Sequence, residues 1–395
     1  MKKVAFIIPH MLCGGVEKSL ISLINEMSLN KYDISIIMVK IEGEFVELIP
    51  NNINIIEIPI SNDLRDDLMR GGVKKSIKYY LKNREIKKLF KVVNGVIMKN
   101  PLATMTESFD SIKTFEEQYD IAICYHIHMP FIVRYVAEKI NSHIKLAWIH
   151  NDFKESGYKV KRLEKYLKDY NHFFCVSKQL KEEFLDILPN FKENTSIANN
   201  IISPLCIRRL AKEEVVKEFL NFKGCIILTI GRLDYQKGYD MAVKVCKTIV
   251  EQGIKVKWFV LGAGEEKSKI QRMIIENSLE DNFILLGTTN NPYPYIDQCD
   301  IYVQPSRHEG YGIAVAEARV LGKPIVCTDF TGARDQLIDG ETGSIVPFDE
   351  LRLSNEIIKL IENKSKRDKY SINLLKDKLD TKKEVNNILS YLDRW

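Results

Sequence analysis

The sequence predicts an α/β protein of two Rossmann-like domains facing across a cleft, and three observations carry that prediction. The chain has 395 residues, about two to three times a common single domain. Its composition, 45% hydrophobic and 28% charged with 20 Gly and 12 Pro, supplies ample material for buried cores and matches neither disorder nor collagen. Short β-branched apolar runs recur along the whole length. Each is followed by a Gly, Asn or Asp turn and then by helical periodicity, the rhythm of parallel strands joined by crossover helices.

Taken in order, the first half offers strands at Lys3 to Pro9, Ile34 to Val39, Ile53 to Ile58, Ile121 to Tyr125, Lys145 to Ile149, Phe173 to Val176 and Thr195 to Ala198. A helix opens near Val16, straight after the first strand. The second half offers strands at Ile226 to Ile230, Lys257 to Leu261, Phe283 to Leu286, Ile301 to Gln304, Pro324 to Cys327 and Gly343 to Val346. The charged segment Arg208 to Glu218 lacks a strand pattern and is expected to connect the halves. The domains are therefore expected at 1–207 and 208–376, and a last helix, about Asp377 to Tyr391 within 377–395, to pack back toward the first. In open sheets of this kind a ligand sits at the carboxyl ends of the strands, here in the cleft between the halves.

Lys and Arg number 58 against 53 Asp and Glu, a net +5 too small and too diluted to mark a nucleic-acid binder. The eight cysteines (Cys13, Cys124, Cys175, Cys206, Cys225, Cys246, Cys299, Cys327) form neither a CxxC nor a zinc-like spacing and read as reduced, mostly buried thiols. Pro9 and His10 end the first apolar run too early for a signal peptide. Without an apolar stretch near the ~18 to 20 residues of a bilayer span, the expected location is cytoplasmic, with peripheral association at the inner face of the plasma membrane left open.

Three loops carry the chemistry. Gly14 and Gly15 follow the first strand and precede a helix, where free amides favour an anion; a tight turn would need the same glycines. Arg232 and Lys237 sit in Gly231-Arg232-Leu233 and Gln236-Lys237-Gly238, at the carboxyl end of the second half's first strand, where both are expected to be exposed in the cleft and can meet one diphosphate. The most specific segment is Glu309-Gly310-Tyr311-Gly312-Ile313 with Glu317 farther on. Its Gly-x-Gly turn should open a helix near Ile313, placing Glu309 in the loop and Glu317 in the second turn. Were both glutamates helical, eight residues at ~1.5 Å each would part them by ~12 Å along the axis. A retaining glycosidase pair stands ~5 to 5.5 Å apart, so hydrogen bonding to sugar and ribose hydroxyls fits better.

These loops, with Gly322 to Val326 and Asp339 to Gly343, resemble the retaining nucleotide-sugar glycosyltransferases of family 4, which have the two-domain GT-B fold. The likeness covers nearly the whole chain, is strongest from Thr229 to Pro347, and is loosest between Ser61 and Phe115. It also takes in Cys175 to Lys178 and Asn200 to Ile202, with Ser203 where the family often has an acid. The resemblance implies that Arg232 and Lys237 neutralise the donor diphosphate, Glu309 holds hydroxyls of the transferred sugar, and Glu317 binds the ribose. Amides at Tyr311, Gly312 and Ile313 would face the phosphate while Gly15 approaches it from the other domain. Gly262 and Gly264 match the family's GxG turn near the base.

Tyr125-His126-Ile127-His128-Met129-Pro130 is similar to the family's HxHxP segment, where a histidine contacts the donor; Met129 stands where the family has an acid. Alternation sends His126 and His128 to one face, and His150 ends the next strand aimed at the same cleft. The three histidines lack a neighbouring carboxylate or cysteine cluster at ligand spacing, and the family implies neither metal nor cofactor. The implied partners are a nucleotide sugar and a glycan or lipid-linked acceptor in cell-surface glycan synthesis. A nucleotide-sugar epimerase and a non-catalytic accessory subunit are the rival readings. The first lacks this combination of loops, and the second is expected to lose some of Arg232, Lys237 and Glu309.

One feature falls outside these loops. Lys74 to Lys99 carries nine basic residues (Lys74, Lys75, Lys78, Lys82, Arg84, Lys87, Lys88, Lys91, Lys99) against Glu85. With Ile77, Leu81, Ile86, Leu89, Phe90, Val93 and Ile97 interleaved, it reads as a basic amphipathic helix suited to an anionic membrane surface. A solvated helix face is the alternative.

Overall fold

A computed structural model of the chain describes residues 1–12, 14–27, 31–69, 112–151, 160–377 and 381–394, with scattered positions between 77 and 109 and at 153 and 379. Two parallel sheets organise it. The first runs β3-β2-β1-β4-β5-β6-β7, built from β1 (Lys2–Ile8), β2 (Tyr32–Met38), β3 (Asn54–Glu57), β4 (Gln118–Cys124), β5 (Asn141–Ile149), β6 (His172–Cys175) and β7 (Thr195–Ile197). The second runs β10-β9-β8-β11-β12-β13, from β8 (Cys225–Ile230), β9 (Val256–Leu261), β10 (Phe283–Gly287), β11 (Ile301–Gln304), β12 (Ile325–Thr328) and β13 (Ser344–Val346). All thirteen coincide with apolar runs read from the sequence. Their bounds differ where polar residues extend a strand: β4 starts at Gln118, which pairs with Asn141 of β5.

Strands buried on both faces explain why the runs are so uniformly apolar; Val4 to Ile8 in β1 and Ile121 to Cys124 in β4 are fully buried. In both sheets the strand order reverses beside the first strand, between β1 and β4 and between β8 and β11. Loops on either side of such a reversal splay apart and leave a crevice. Most of the loops singled out in the sequence leave β1, β4, β8 and β11, and the topology gathers these at the two crevices; Gly262 follows β9 and His150 follows β5.

Two differences concern the segments between domains. The segment expected as a connector begins inside a helix, Pro204–Leu210, which packs on second-domain helices Tyr293–Gln298 and Ile313–Val320. The last helix begins at Lys382, not near Asp377. Asp377 instead caps the preceding helix Lys364–Lys376, its carboxylate held by Arg319 Nη2 at 2.9 Å. The helix Lys382–Asp393 lies on the first domain. Lys2 Nζ donates to the Leu392 carbonyl at 2.9 Å, Lys31 and Tyr32 engage the Asp393 carboxylate, and the Tyr391 and His172 rings stand 4.3 Å apart. Thr381 Oγ1, just before it, donates to the Ile202 carbonyl at 2.6 Å. The chain thus crosses between domains twice, near 202 and near 380, at one place. No helix among the described residues is long and apolar enough to cross a membrane.

Candidate active site

On the second-domain side, β8 ends in Gly231 and the loop carrying Arg232 and Lys237; β11 ends in the loop carrying Glu309. Lys237 and Glu309 form an ion pair between these loops, with side chains 17% and 12% exposed. Glu309 Oε1 also accepts from Ser306 Oγ at 3.0 Å and Gln304 Nε2 at 3.4 Å. A buried carboxylate needs such partners. The sequence suggested two exposed cations, but only Arg232 is exposed, at 65%, with Asp234 3.4 Å away. Lys237 is enclosed because a carboxylate at the foot of the neighbouring strand draws it inward.

A second clamp ties the two loops together. The Arg307 guanidinium donates to both Asp240 carboxylate oxygens at 2.8 and 2.7 Å and to the Tyr235 carbonyl at 2.7 Å. It lies 3.9 and 4.5 Å from the Tyr235 and Phe348 ring centres. Bidentate pairing and ring stacking together suit arginine's planar head.

The turn after Glu309 has the expected form. Gly312 adopts φ +83° and caps the helix Ile313–Val320, a conformation most side chains disfavour. Gln336 Nε2 donates to the carbonyls of Tyr311 and Gly312, fixing the turn from below. Glu317 lies in the second turn and is buried. Its Oε1 takes the Lys18 ammonium and the Tyr293 hydroxyl, the latter at 3.2 Å. Gly262 and Gly264 serve the Arg232 loop: a Cβ on either would meet the Gly231 or Leu233 carbonyl at 1.9 or 2.4 Å. The structure therefore gives these two glycines a packing reason.

Across the cleft, Gly14 leaves room for the Glu17 carboxylate, and a Cβ on Gly15 would lie 3.3 Å from Ile313 Cδ1. A Cβ on Gly310 would meet the His150 carbonyl at 1.7 Å, so the glutamate loop touches the first domain backbone to backbone. The three histidines do cluster. His126 and His128 rings stand 6.5 Å apart, His128 stacks on Phe153 at 5.0 Å, and His150 lies 4.7 Å from the Tyr125 ring. Among the described residues, His126 Nδ1, both His150 ring nitrogens and Asn200 Oδ1 are buried without a hydrogen-bond partner. Burial, with His128 nearby, lowers His126 to about 4, and burial with His126 holds His150 well below the usual histidine range. Both rings are thus neutral near pH 7, each with one nitrogen to donate and one to accept.

Sequence reasoning missed Lys18, Tyr293, Gln304, Ser306, Asp240 and Gln336. A lysine one turn into an amphipathic helix ordinarily points to water, and only the fold brings Glu317 to Lys18. Of the basic segment Lys74 to Lys99, Lys82, Arg84 and Lys87 are exposed. Lys74, Lys75, Lys78, Lys88, Lys91 and Lys99 lie outside the described residues.

Residues 211–377 match the family described as Glycosyl transferases group 1. Over 324 residues the chain is 28% identical to an uncharacterized glycosyltransferase of Methanocaldococcus jannaschii, covering 69% of this chain and 80% of that one. It is also 28% identical over 218 residues to a poly(ribitol-phosphate) alpha-N-acetylglucosaminyltransferase of Staphylococcus aureus. That alignment covers 54% of this chain and 42% of the relative, less than half of the relative's length. Among solved structures, HepE of Anabaena in complex with UDP and glucose superposes with a TM-score of 0.72 at 16% identity over 100% of both chains. A point mutant of S. aureus TarM, in complex with Fondaparinux, alpha-GlcNAc-glycerol and UDP, superposes with a TM-score of 0.69 at 17% identity over 99% of each. At these identities the likeness is one of fold, and the fold is GT-B, as the sequence motifs implied.

Proposed function

Proceeding from a group 1 glycosyl transferase domain over residues 211–377, we propose that the chain transfers a sugar from a nucleoside diphosphate donor to a hydroxyl acceptor with retention, as a family 4 enzyme. The observation that carries this reading is the Lys237–Glu309 pair with Arg232 beside it at the crevice of the second sheet, facing the histidine cluster of the first. Arg232 and Lys237 meet the diphosphate, whose charge grows as the glycosidic bond breaks. Fixed cations there stabilise the transition state more than the ground state. Loss of one such donor costs ~10² to 10³ in rate. Glu309 holds sugar hydroxyls, Glu317 the ribose, and His128 with the neutral rings of His126 and His150 lines the sugar side. The leaving phosphate oxygen takes the acceptor's proton on the same face, so the reading calls for no side-chain nucleophile, metal ion or cofactor.

The acceptor we propose is a glycan or lipid-linked chain in cell-surface polysaccharide synthesis, met at the cytoplasmic face. Leu81, Ile86 and Phe90 are exposed beside Lys82, Arg84 and Lys87, the mixture an anionic leaflet attracts at ~1 kcal/mol per cation.

The test is donor turnover. The purified chain, given UDP-, GDP- and ADP-sugars in turn with EDTA present, should release nucleoside diphosphate from one of them, with the α or β configuration kept in the product. Glu317→Ala should weaken binding of the free nucleoside diphosphate, and Glu309→Ala should abolish turnover while leaving that binding intact. Equal loss of nucleotide affinity in both variants counts against this division of labour, and absence of turnover favours the accessory-subunit reading.

A further inference from the structure

Glu317 is held by a residue from the opposite domain. Lys18, in the first-domain helix Gly15–Glu26, ion-pairs with the Glu317 carboxylate, and its ammonium lies 4.5 Å from the centre of the Tyr293 ring. The Tyr293 hydroxyl donates to the same oxygen, Oε1, that Lys18 engages. The Glu317 side chain is 4% exposed, and a buried carboxylate is costly unless a cation or hydrogen-bond donors stand against it. Burial alone would lower the Lys18 ammonium, yet the Glu317 carboxylate and Tyr293 together hold it above the usual lysine range. The pair joins helix Gly15–Glu26 to helix Ile313–Val320.

Resting on the reading that Glu317 meets the ribose, we infer that Lys18 is a positioning residue for nucleoside recognition, supplied by the domain opposite the one that carries Glu317. By holding Oε1, Lys18 and Tyr293 set the carboxylate plane. An ionised carboxylate accepts from both hydroxyls of a vicinal diol, whereas a protonated one turns one of its oxygens into a donor. Recognition of ribose as against deoxyribose then depends on the first domain being closed on the second.

The experiment measures binding of UDP, and of UDP lacking the 2′- and 3′-hydroxyls, to the wild-type chain and to Lys18→Met, Lys18→Arg and Glu317→Gln by calorimetry. GDP and ADP with their dideoxy forms serve as parallel probes. Lys18→Met should weaken UDP about tenfold, the loss of one charge-assisted hydrogen bond's support, while leaving the dideoxy nucleotide unchanged. Lys18→Arg should restore most of the affinity. A variant that merely misfolds would lose both nucleotides alike, and dideoxy binding guards against that reading. If Glu317→Gln discriminates against the diol and Lys18→Met does not, the positioning role of Lys18 is wrong and the ribose reading stands. If Glu317→Gln has no effect on the diol preference, the ribose reading falls and this one with it. Tighter UDP binding by Lys18→Met overturns the inference by making Lys18 a competitor of the ribose.

Discussion

Arg232 and Lys237 show what a single residue's surroundings add to a motif. The spacing of the two cations was legible because a strand end followed by basic residues has a known place in open α/β sheets. Their different burial was not, since it depends on Glu309, seventy-odd positions away and brought alongside by the β8–β11 neighbourhood. The two substitutions should therefore part company. Arg232→Ala should lose turnover with stability changed by no more than ~0.5 kcal/mol. Lys237→Ala leaves the Glu309 carboxylate buried and unpaired, and should also lower unfolding free energy by ~3 kcal/mol. Chemical denaturation of both variants decides the matter, and equal midpoints would mean that Glu309 finds another partner. The histidines make a pH prediction. Burial lowers both His126 and His172 to about 4, below the ~6.5 of an unfolded chain. Protons then bind the unfolded state in preference between those values. The stability these rings contribute is whole above pH ~6.5 and is lost as pH falls toward 4, at up to ~1.4 kcal/mol per pH unit for each ring. Tm measured across that window should fall, and His126→Gln should flatten the slope.

Elements were the most legible level. The central strands stood out because a strand covered on both faces must be apolar throughout, whereas polar ends such as Gln118 and Asn141 carry no such mark. The break after Lys376 was hidden because Asp377 and the residues after it keep helical composition, while the cap residue Asp377 is held by a tertiary contact to Arg319. At this scale the clamp of Arg307 on Asp240 deserves a test, since it fastens the loop after β8 to the loop after β11. Arg307 N also donates to the Gln236 carbonyl at 2.7 Å, and Gln236 Nε2 to the His308 carbonyl at 2.9 Å. Arg307→Lys keeps the charge and gives up the two-pronged contact. It should lower kcat about tenfold with KM for the donor nearly unchanged, because the loops still bind but no longer hold Lys237 against Glu309 in one geometry. A wild-type kcat would show that the backbone bonds alone suffice.

For the whole molecule, two crossings at one place leave the domains joined along a single edge, near Ile202 and Thr381. The helix Lys382–Asp393 buries Val385, Ile388 and Leu392, so the second domain's tail is part of the first domain's packing. Further ties cross the divide: Lys178 N donates to Asp335 Oδ2 at 3.0 Å, and Lys18 pairs with Glu317. That architecture was readable as two sheets and a cleft, but how nearly the cleft shuts was not, because it is set by contacts between residues far apart in the chain.

The nearness of Gly310 to the His150 carbonyl turns that shutting into something that can be gauged. Two backbones meet there with no side chain between them, so each added atom acts as a shim of known thickness. A Cβ at Gly310 would start 1.7 Å from the carbonyl oxygen, and backbone must retreat by roughly 2 Å to reach ordinary van der Waals separation. A joint hinged along one edge converts that local spacer into rotation. Spin labels on the two domains should report a longer mean distance in Gly310→Ala and a longer one again in Gly310→Val. Gly15→Ala, which meets only the flexible tip of Ile313 at 3.3 Å, should leave the distance as it is. Unchanged distances in the Gly310 pair would mean that the loop yields and the jaws do not.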